Sequence, residues 1–409
     1  MSTYESALLR LLDERGHIHQ VTDPAALDKI AQREVITAYV GFDPTAASLH
    51  IGNLASIMLL RRVQQAGHRP IVIMGGGTAK VGDPSGKDET RQMLTDAVLA
   101  SNIASIKDSF RKILRFDDSP TGALLINNDD WLSKLGYIEL LREVGTHLTV
   151  NRMLTFDSVR LRLDREQPLT FLEFNYMIMQ AYDFVVLSRE YGCKLQLGGS
   201  DQWGNIVNGI ELARRIDAAE VYGVTAPLIT RADGQKMGKS VSGAVWLNED
   251  MLPAYDFWQY WRNVDDRDVG RFLRLFTDLP LDEIARLQAL EGAEINAAKI
   301  VLANEVTKLV RGEEAALRAE ATARETFAGS GAGDDLPCIH TGADGLRLAA
   351  LLTELGLAAS NGEAKRKLAE GAVKLEGETV SDPAQLVLPQ EGQTLRLSLG
   401  KKKHALVRR

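Results

Sequence analysis

The chain has 409 residues, 45% of them hydrophobic and 25% charged, a globular composition that excludes a wholly disordered protein. Its 48 Lys and Arg against 55 Asp and Glu leave a net charge of −7, which excludes a uniformly basic nucleic-acid binder while leaving room for a local basic patch. Two cysteines, Cys193 and Cys338, can build neither a disulfide framework nor a four-ligand zinc site, so a reduced, cytoplasmic protein is expected. No run of about 18 apolar residues is present to span a membrane, and Met1 to Gln20 carries acids and arginines where a signal peptide needs an apolar stretch. The length predicts about two or three domains.

Residues 1 to about 35 read as an amphipathic helix with Leu8, Leu9, Leu11 and Leu12 on its apolar face. Strand and helix then alternate. Val35–Val40 is a buried strand by composition, and Leu54–Gln65 is helical by spacing and stops at Gly67. Pro70–Met74 is a second strand running into Gly75-Gly76-Gly77, and Ala123–Asn127 is a third. This rhythm predicts an α/β fold with a Rossmann-like, doubly wound parallel sheet and a ligand site at the carboxyl ends of its strands. From about Pro253 the texture is helical to about Phe327, Gly- and Ser-rich residues 327–337 form a linker, and the last block holds eleven Lys/Arg against eight Asp/Glu. The expected domains are therefore 1–250, 251–326 and 338–409, joined by that linker.

Two segments invite phosphate chemistry. Tyr39-Val-Gly41-Phe-Asp43-Pro-Thr45 runs on to His50-Ile-Gly52-Asn53, which follows a strand and opens a helix, where free N–H groups and a partial positive charge await an anion. Gly52 lacks the Cβ that would hold a flat base off the backbone. Taken alone, this pattern also fits a helix-opening turn with a surface histidine. Gln235-Lys236-Met237-Gly238-Lys239-Ser240 sets two lysines around a glycine beside a hydroxyl, a cationic loop suited to a polyphosphate. It is not a Walker loop, because Gly234 and Gly238 have three residues between them instead of four.

The pair resembles the two signatures of class I aminoacyl-tRNA synthetases, and nearly the whole chain resembles the bacterial tyrosyl-tRNA synthetases. The most specific stretches are Tyr39–Asn53, Gly82-Asp83-Pro-Ser-Gly-Lys87, Tyr176–Asp183 and Leu195–Gly204. One departure is Asn53, where the first signature usually ends in His; an amide can still offer a donor nitrogen there. The resemblance implies a tyrosine–tRNA ligase that uses ATP with Mg2+ and no protein-bound metal. Its partners are L-tyrosine, a tyrosine tRNA and a second copy of the chain, without a membrane.

Phe171–Leu187 reads as a helix on which Tyr176, Gln180 and Asp183 share one face. A core helix whose polar groups satisfy one another has the same spacing. The resemblance makes Tyr176, Gln180 and Asp83 contacts to the substrate's α-amino group, and Asp183 and Tyr39 partners of its phenolic hydroxyl. It sets Thr78 and Asn128 along the tyrosine and Gln196 near its carboxylate. It implies Gly41, Asp43, Gly52, Ser56, Gly199 and Asp201 on ATP, with Thr45, His50 and Asn53 at its phosphates. Lys87, Arg91, Lys236, Lys239 and Ser240 then serve the transition state and the leaving pyrophosphate.

In the last block, Leu346–Leu355 and Gly362–Glu370 are two short helices, the second opened by a Ser360/Glu363 capping box. Val373–Val380 is a hairpin and Thr394–Leu399 a strand. Lys365 and Arg366 on a helix, with Lys401, Lys402 and Lys403 in a turn, form an electrostatic footprint for phosphates, although a solvated basic tail has the same charge. The order helix, helix, hairpin resembles the RNA-binding module of small-subunit ribosomal protein four. A tryptophanyl enzyme shares the fold and signatures, but Asp183 with Tyr39 and the basic block favour tyrosine. A small-molecule nucleotidyltransferase would leave the helical region and the tail without purpose, and a non-catalytic paralogue would not need the lysine loop.

Overall fold

The computed structural model of the chain describes residues 2–83, 93–232, 234, 237–240, 243–328, 336–342, 344–400 and 403–409. The chain divides into two compact units. The first comprises Met1–Gly238, Trp246–Asn248 and Asp265–Leu290; the second comprises Lys239–Val245, Glu249–Val264 and Glu291–Arg409. The helical region expected over 251–326 is thus shared between them.

The first unit is built on a six-stranded sheet: β1 Gln20–Val21, β2 Thr37–Phe42, β3 Arg69–Met74, β4 Leu124–Asn127, β5 Cys193–Gly199 and β6 Tyr222–Ala226. Their order is β1-β6-β5-β2-β3-β4, with every pair parallel except the antiparallel edge pair of β1 and β6. An α/β, Rossmann-like architecture follows. Residues such as Ala38, Ile71, Val72 and Leu195 are buried, as strands covered on both faces require. β5 and β6 are additions to the sequence reading, which assigned no strand there. Lys194 and Gln196 interrupt the apolar run of β5, and Gly223 that of β6.

The amino-terminal segment is not one helix. Ser6 caps Ala7–Glu14 by accepting from the Leu9 amide, and Asp23 with Pro24 starts a second helix, Pro24–Arg33. Gly16, at φ +77°, turns the chain between them and β1 forms the link. The helix Ile51–Gln65, capped by His50, begins three residues before its apolar spacing suggests, and the helix Phe171–Tyr191 runs on to Gly192 in the left-handed region. The segment 265–290 is bound to the first unit through buried arginines. Arg15 donates to the carbonyls of Thr277 and Leu279, and the fully buried Arg62 donates to the Thr277 carbonyl and pairs with Asp278, which also pairs with Arg61.

In the second unit the helices Ala254–Arg262, Ile295–Arg311 and Glu313–Ala328 pack together, with Trp258 Nε1 donating to Asn304 at 2.7 Å. The last block carries a five-stranded sheet ordered Glu378–Thr379, Val373–Leu375, Thr394–Leu399, Lys403–Arg408, Cys338–His340, with the helices Leu348–Glu354 and Asn361–Ala369. Its core joins Leu348, Leu352, Leu368, Val373, Leu397 and Val407. Two local readings change. Leu346–Arg347 is a short strand paired with Leu386–Val387 rather than the first turn of a helix. The expected capping box is half formed: Ser360 Oγ accepts from the Glu363 amide, but the Glu363 carboxylate accepts from the Ala359 amide, one residue upstream of the cap.

Candidate active site

β2 lies between β3 and β5, so the chain winds away from it on both sides and a crevice opens at the carboxyl ends of these strands. Tyr39, Gly41 and Asp43 lie on or just after β2, Thr78 after β3, Asn128 after β4, and Gln196, Gly199 and Asp201 on or after β5. The helix Phe171–Tyr191 brings Tyr176, Gln180 and Asp183 toward the same place, begun by a Thr170/Glu173 capping box.

A continuous polar chain crosses this crevice. Trp131 Nε1 donates to Asp183 Oδ1 at 2.8 Å, and Asn128 Nδ2 donates to Asp183 Oδ2 at 2.9 Å and to Thr78 Oγ1 at 3.1 Å. Thr78 Oγ1 donates to Asp43 Oδ1 at 2.8 Å, and the Tyr176 hydroxyl to Asp43 Oδ2 at 3.1 Å. Asn128 Oδ1 is in turn held by the Gly77 amide at 2.8 Å. The close approach needs glycine: a Cβ on Gly75 would stand 2.1 Å from Asp43 Oδ1, and one on Gly76 2.3 Å from Asn127 Oδ1. Asp43, expected on ATP, thus has its carboxylate on Thr78 and Tyr176.

Burial pushes the Asp183 carboxyl up to about 7; its two donors pull it down, and the charge of Asp43 adds to the rise. Burial, with Asp183 and Cys193 behind it, raises the Tyr39 phenol well above its ordinary value. The Tyr39 ring meets Phe184 edge-on at 5.2 Å, and its hydroxyl is buried without a hydrogen-bond partner among the described residues. Gln196 is the register partner of Tyr39, and its Oε1 is likewise buried and unpartnered among them.

Next to this lies a set of amides. Asn205 Nδ2 donates to Gln180 Oε1 at 2.9 Å and to Gln202 Oε1 at 3.1 Å, while Gln202 Nε2 reaches Asp83 Oδ2 at 3.1 Å. Gln180 and Asp83 are therefore brought together through Gln202. Trp131, Gln202 and Asn205 were missed in the sequence. Gln202 stands inside the Leu195–Gly204 stretch quoted above, but nothing in periodicity singles out Trp131 or Asn205.

On the other flank, His50 caps the helix Ile51–Gln65. Its Nδ1 accepts from the Gly52 amide at 3.0 Å, and its own amide donates to Asn53 Oδ1 at 3.1 Å. Asn53 therefore turns its oxygen to the cap and keeps its NH2 group as a donor. A Cβ on Gly52 would stand 2.8 Å from His50 Cε1 and 3.3 Å from the Met237 carbonyl oxygen, so Gly52 is needed by the protein's own packing. A Cβ on Gly238 would also touch His50, at 3.4 Å, which brings the Met237-Gly238 part of the second signature against the first. Thr45 donates its amide to the Asp43 carbonyl at 2.9 Å, and Gly199 approaches Asp201 so closely that a Cβ would stand 2.6 Å from Oδ1. Ser56 is half-buried on the helix and Gly41 exposed. Lys87, Arg91, Lys236, Lys401 and Lys402 lie outside the described residues, as do the side chains of Lys239 and Ser240. In the last block Lys365 is exposed, Arg366 stands 3.8 Å from Glu370, and Lys403 Nζ donates to the Leu357 carbonyl at 2.8 Å.

Residues 31–328 match the family described as tRNA synthetases class I (W and Y). The chain is 64% identical to the tyrosine–tRNA ligase of Novosphingobium aromaticivorans over the full length of both, and 59% identical to that of Zymomonas mobilis, covering all of this chain and 99% of the relative. Among solved structures it resembles a C-terminally truncated mitochondrial tyrosyl-tRNA synthetase of Aspergillus nidulans. The TM-score is 0.72 at 30% identity, over 79% of this chain and 95% of that one.

Proposed function

We infer the working of the site from the family to which the chain belongs, the bacterial class I tyrosyl-tRNA synthetases. The activity is tyrosine–tRNA ligation, with ATP, L-tyrosine and tRNA as substrates. The tyrosine carboxylate attacks the α-phosphate of ATP and pyrophosphate leaves; the tyrosyl group then passes to the 3′ end of the tRNA. The nucleophile is already an anion, so no general base is needed and positioning with cationic stabilisation carries the first step.

The observation that best supports a tyrosine pocket is Asp183, a buried carboxylate held by Asn128 and Trp131 near the Tyr39 hydroxyl. A phenolic O–H would give Asp183 a further donor, and Tyr39 could exchange a second bond with it. Thr78 and Asn128 line the same wall. Tyr176, Gln180 and Asp83 take the α-amino group and Gln196 lies by the carboxylate; Gln180 and Asp83 are already joined through Gln202. For ATP, the reading assigns the ribose to Gly199, Asp201 and Ser56, the base to Gly41 and Gly52, and the phosphates to Thr45, His50 and Asn53. Lys87, Arg91, Lys236, Lys239 and Ser240 stabilise the departing pyrophosphate. Asp43 acts on this side through Thr78 and Tyr176. Mg2+ enters with ATP as part of that substrate; among the described residues no group of three or more His, Cys, Asp or Glu is gathered for a metal.

The last block, 338–409, is proposed as a tRNA-binding module of the ribosomal-protein-four type, with Lys365, Arg366 and Lys401–Lys403 toward phosphates. A homodimer is supported by apolar side chains left in solvent, among them Tyr137, Ile138, Leu141, Val150 and Phe171. A cytoplasmic place fits these substrates, and among the described residues no helix is long and apolar enough to cross a membrane. The deciding experiment is exchange of labelled pyrophosphate into ATP with tyrosine, phenylalanine or tryptophan as the amino acid. Tyrosine alone should support it efficiently; equal exchange with tryptophan would overturn the pocket assignment.

A further inference from the structure

We infer that Asn248 is a positioning residue for ATP, acting through the turn that ends at His50; the inference rests on the assignment of His50 to the ATP phosphates. Trp246–Asn248 belongs to the first unit and follows the lysine signature in the chain. It lies along the Ala47–His50 turn, joined to it by a single β-bridge. Leu247 donates its amide to the Leu49 carbonyl at 2.8 Å, and Trp246 forms an antiparallel bridge with His50, their rings 6.4 Å apart.

Asn248 fastens this segment through three of its atoms. Its backbone amide donates to Ser48 Oγ at 3.0 Å, and that hydroxyl donates to the Leu49 carbonyl at 2.7 Å. Its Nδ2 reaches the Ala47 carbonyl at 3.2 Å and Ser105 Oγ at 3.0 Å, and its Oδ1 accepts from Ser109 Oγ at 2.7 Å. The two serines lie on the helix Asp96–Ile113, whose buried Asn102 donates to the Pro44 carbonyl at 2.9 Å from the same face. The helix therefore holds the Pro44 end of the turn directly and its Ala47–Ser48 end through Asn248, which also adds the chain leaving the lysine signature. A half-buried amide using donor and acceptor at once fixes geometry better than an apolar contact of the same size. None of the hydrogen bonds described for Asn248 reaches Asp183, Asn128, Thr78 or Gln180, so tyrosine is held independently of it.

The test compares Asn248→Asp and Ser109→Ala with His50→Ala in the full-length protein. Asn248→Asp keeps the size but sets an acceptor against the Ala47 carbonyl; Ser109→Ala removes one neutral bond and leaves the fold least disturbed. Tyrosine-dependent pyrophosphate exchange gives KM for ATP, and equilibrium dialysis gives Kd for tyrosine. Asn248→Asp should raise KM for ATP about tenfold, and Ser109→Ala about two- to threefold, the scale of one or two lost hydrogen bonds. Kd for tyrosine should stay within about twofold in both. Should Asn248→Asp not fold, the ATP-only shift in Ser109→Ala carries the test. An unchanged KM for ATP, or constants for ATP and tyrosine that shift together, overturns the inference. If His50→Ala raises KM for ATP while the other two variants do not, the role of Asn248 fails alone. If the wild-type protein gives no tyrosine-dependent exchange, the proposed function fails with it.

Discussion

Tyr39 and Gln196 are register partners on adjacent parallel strands, and each carries a buried polar atom with no hydrogen-bond partner among the described residues. Such atoms are costly in a sheet interior unless something else meets them. The Tyr39 hydroxyl lies within electrostatic reach of Asp183, and Gln196 Oε1, an acceptor, can be met only by an N–H or O–H donor.

Tyr39→Phe removes one neutral partner, for which about 0.5–1.5 kcal/mol is the usual scale. The variant should remain active, with mildly weaker discrimination of tyrosine from phenylalanine. Asp183→Ala should collapse that discrimination, because it removes a charge-assisted bond and strands the donors of Asn128 and Trp131. The measurement is the ratio of kcat/KM for the two amino acids; a wild-type ratio in Asp183→Ala would refute its role.

With its carboxyl pushed up to about 7, Asp183 takes a proton in the free protein as the pH falls through neutrality. Tyrosine affinity should then weaken by up to about tenfold per pH unit below 7, while phenylalanine, which offers no hydroxyl, varies less. Stability moves in the opposite sense. A raised carboxyl favours the fold at low pH, and that contribution declines as the pH rises from about 4 to 7. Trp131→Phe removes a donor and should shift the affinity profile to higher pH. Titration of tyrosine binding between pH 5.5 and 8.5 gives the answer, and a flat profile would rule the mechanism out.

Lys239→Ala should slow adenylate formation by orders of magnitude while leaving the tyrosine Kd within about twofold, since its charge is needed most as pyrophosphate departs. Stopped-flow activation with equilibrium dialysis separates the two effects.

Removal of 338–409 should leave pyrophosphate exchange nearly intact and sharply weaken tRNA charging. The salt dependence of tRNA binding should flatten, because fewer phosphates are neutralised. Filter binding over a salt series tests this.

Asp278→Ala leaves the buried Arg62 and its neighbour Arg61 without a counter-charge. Because Asp278 is partly exposed, a loss of about 1–3 kcal/mol is expected, read as a lower urea midpoint. Burial alone would raise this carboxyl, but the Arg61 hydrogen bond and the Arg62 charge hold it well below the usual range. Its contribution is therefore full above about pH 4 and is lost on further acidification, and the variant should lose that acid-sensitive limb.

Three strands of the catalytic sheet, the long site helix and its polar face were legible, because apolar runs and a polar stripe at helical spacing announce themselves locally. β5 is not legible because Lys194 and Gln196 break its apolar pattern. The amino-terminal segment was read as one helix because leucine spacing outweighed Gly16 and the Asp23-Pro24 start. Trp131 could not be found by spacing at all: it reaches Asp183 from the helical turn after β4, 52 residues away in the chain, a contact fixed by topology. Asn53 shows the converse. Its capping role follows from three-residue spacing to His50, a local rule that the sequence already obeys.

The strand Cys338–His340 runs parallel to Leu406–Arg408, joining opposite ends of the last block, whereas the neighbouring pairs of that sheet are antiparallel. Hairpins of this kind close quickly because little chain entropy is lost, but a parallel pair spanning the whole block must wait until the rest has formed. It should assemble last and open first. In hydrogen exchange the amide of Leu406, which donates to the Pro337 carbonyl, should therefore lose protection before those of the Thr394–Leu399 hairpin. A pull on the residues that precede Pro337 would peel off that single strand before it reached the helices.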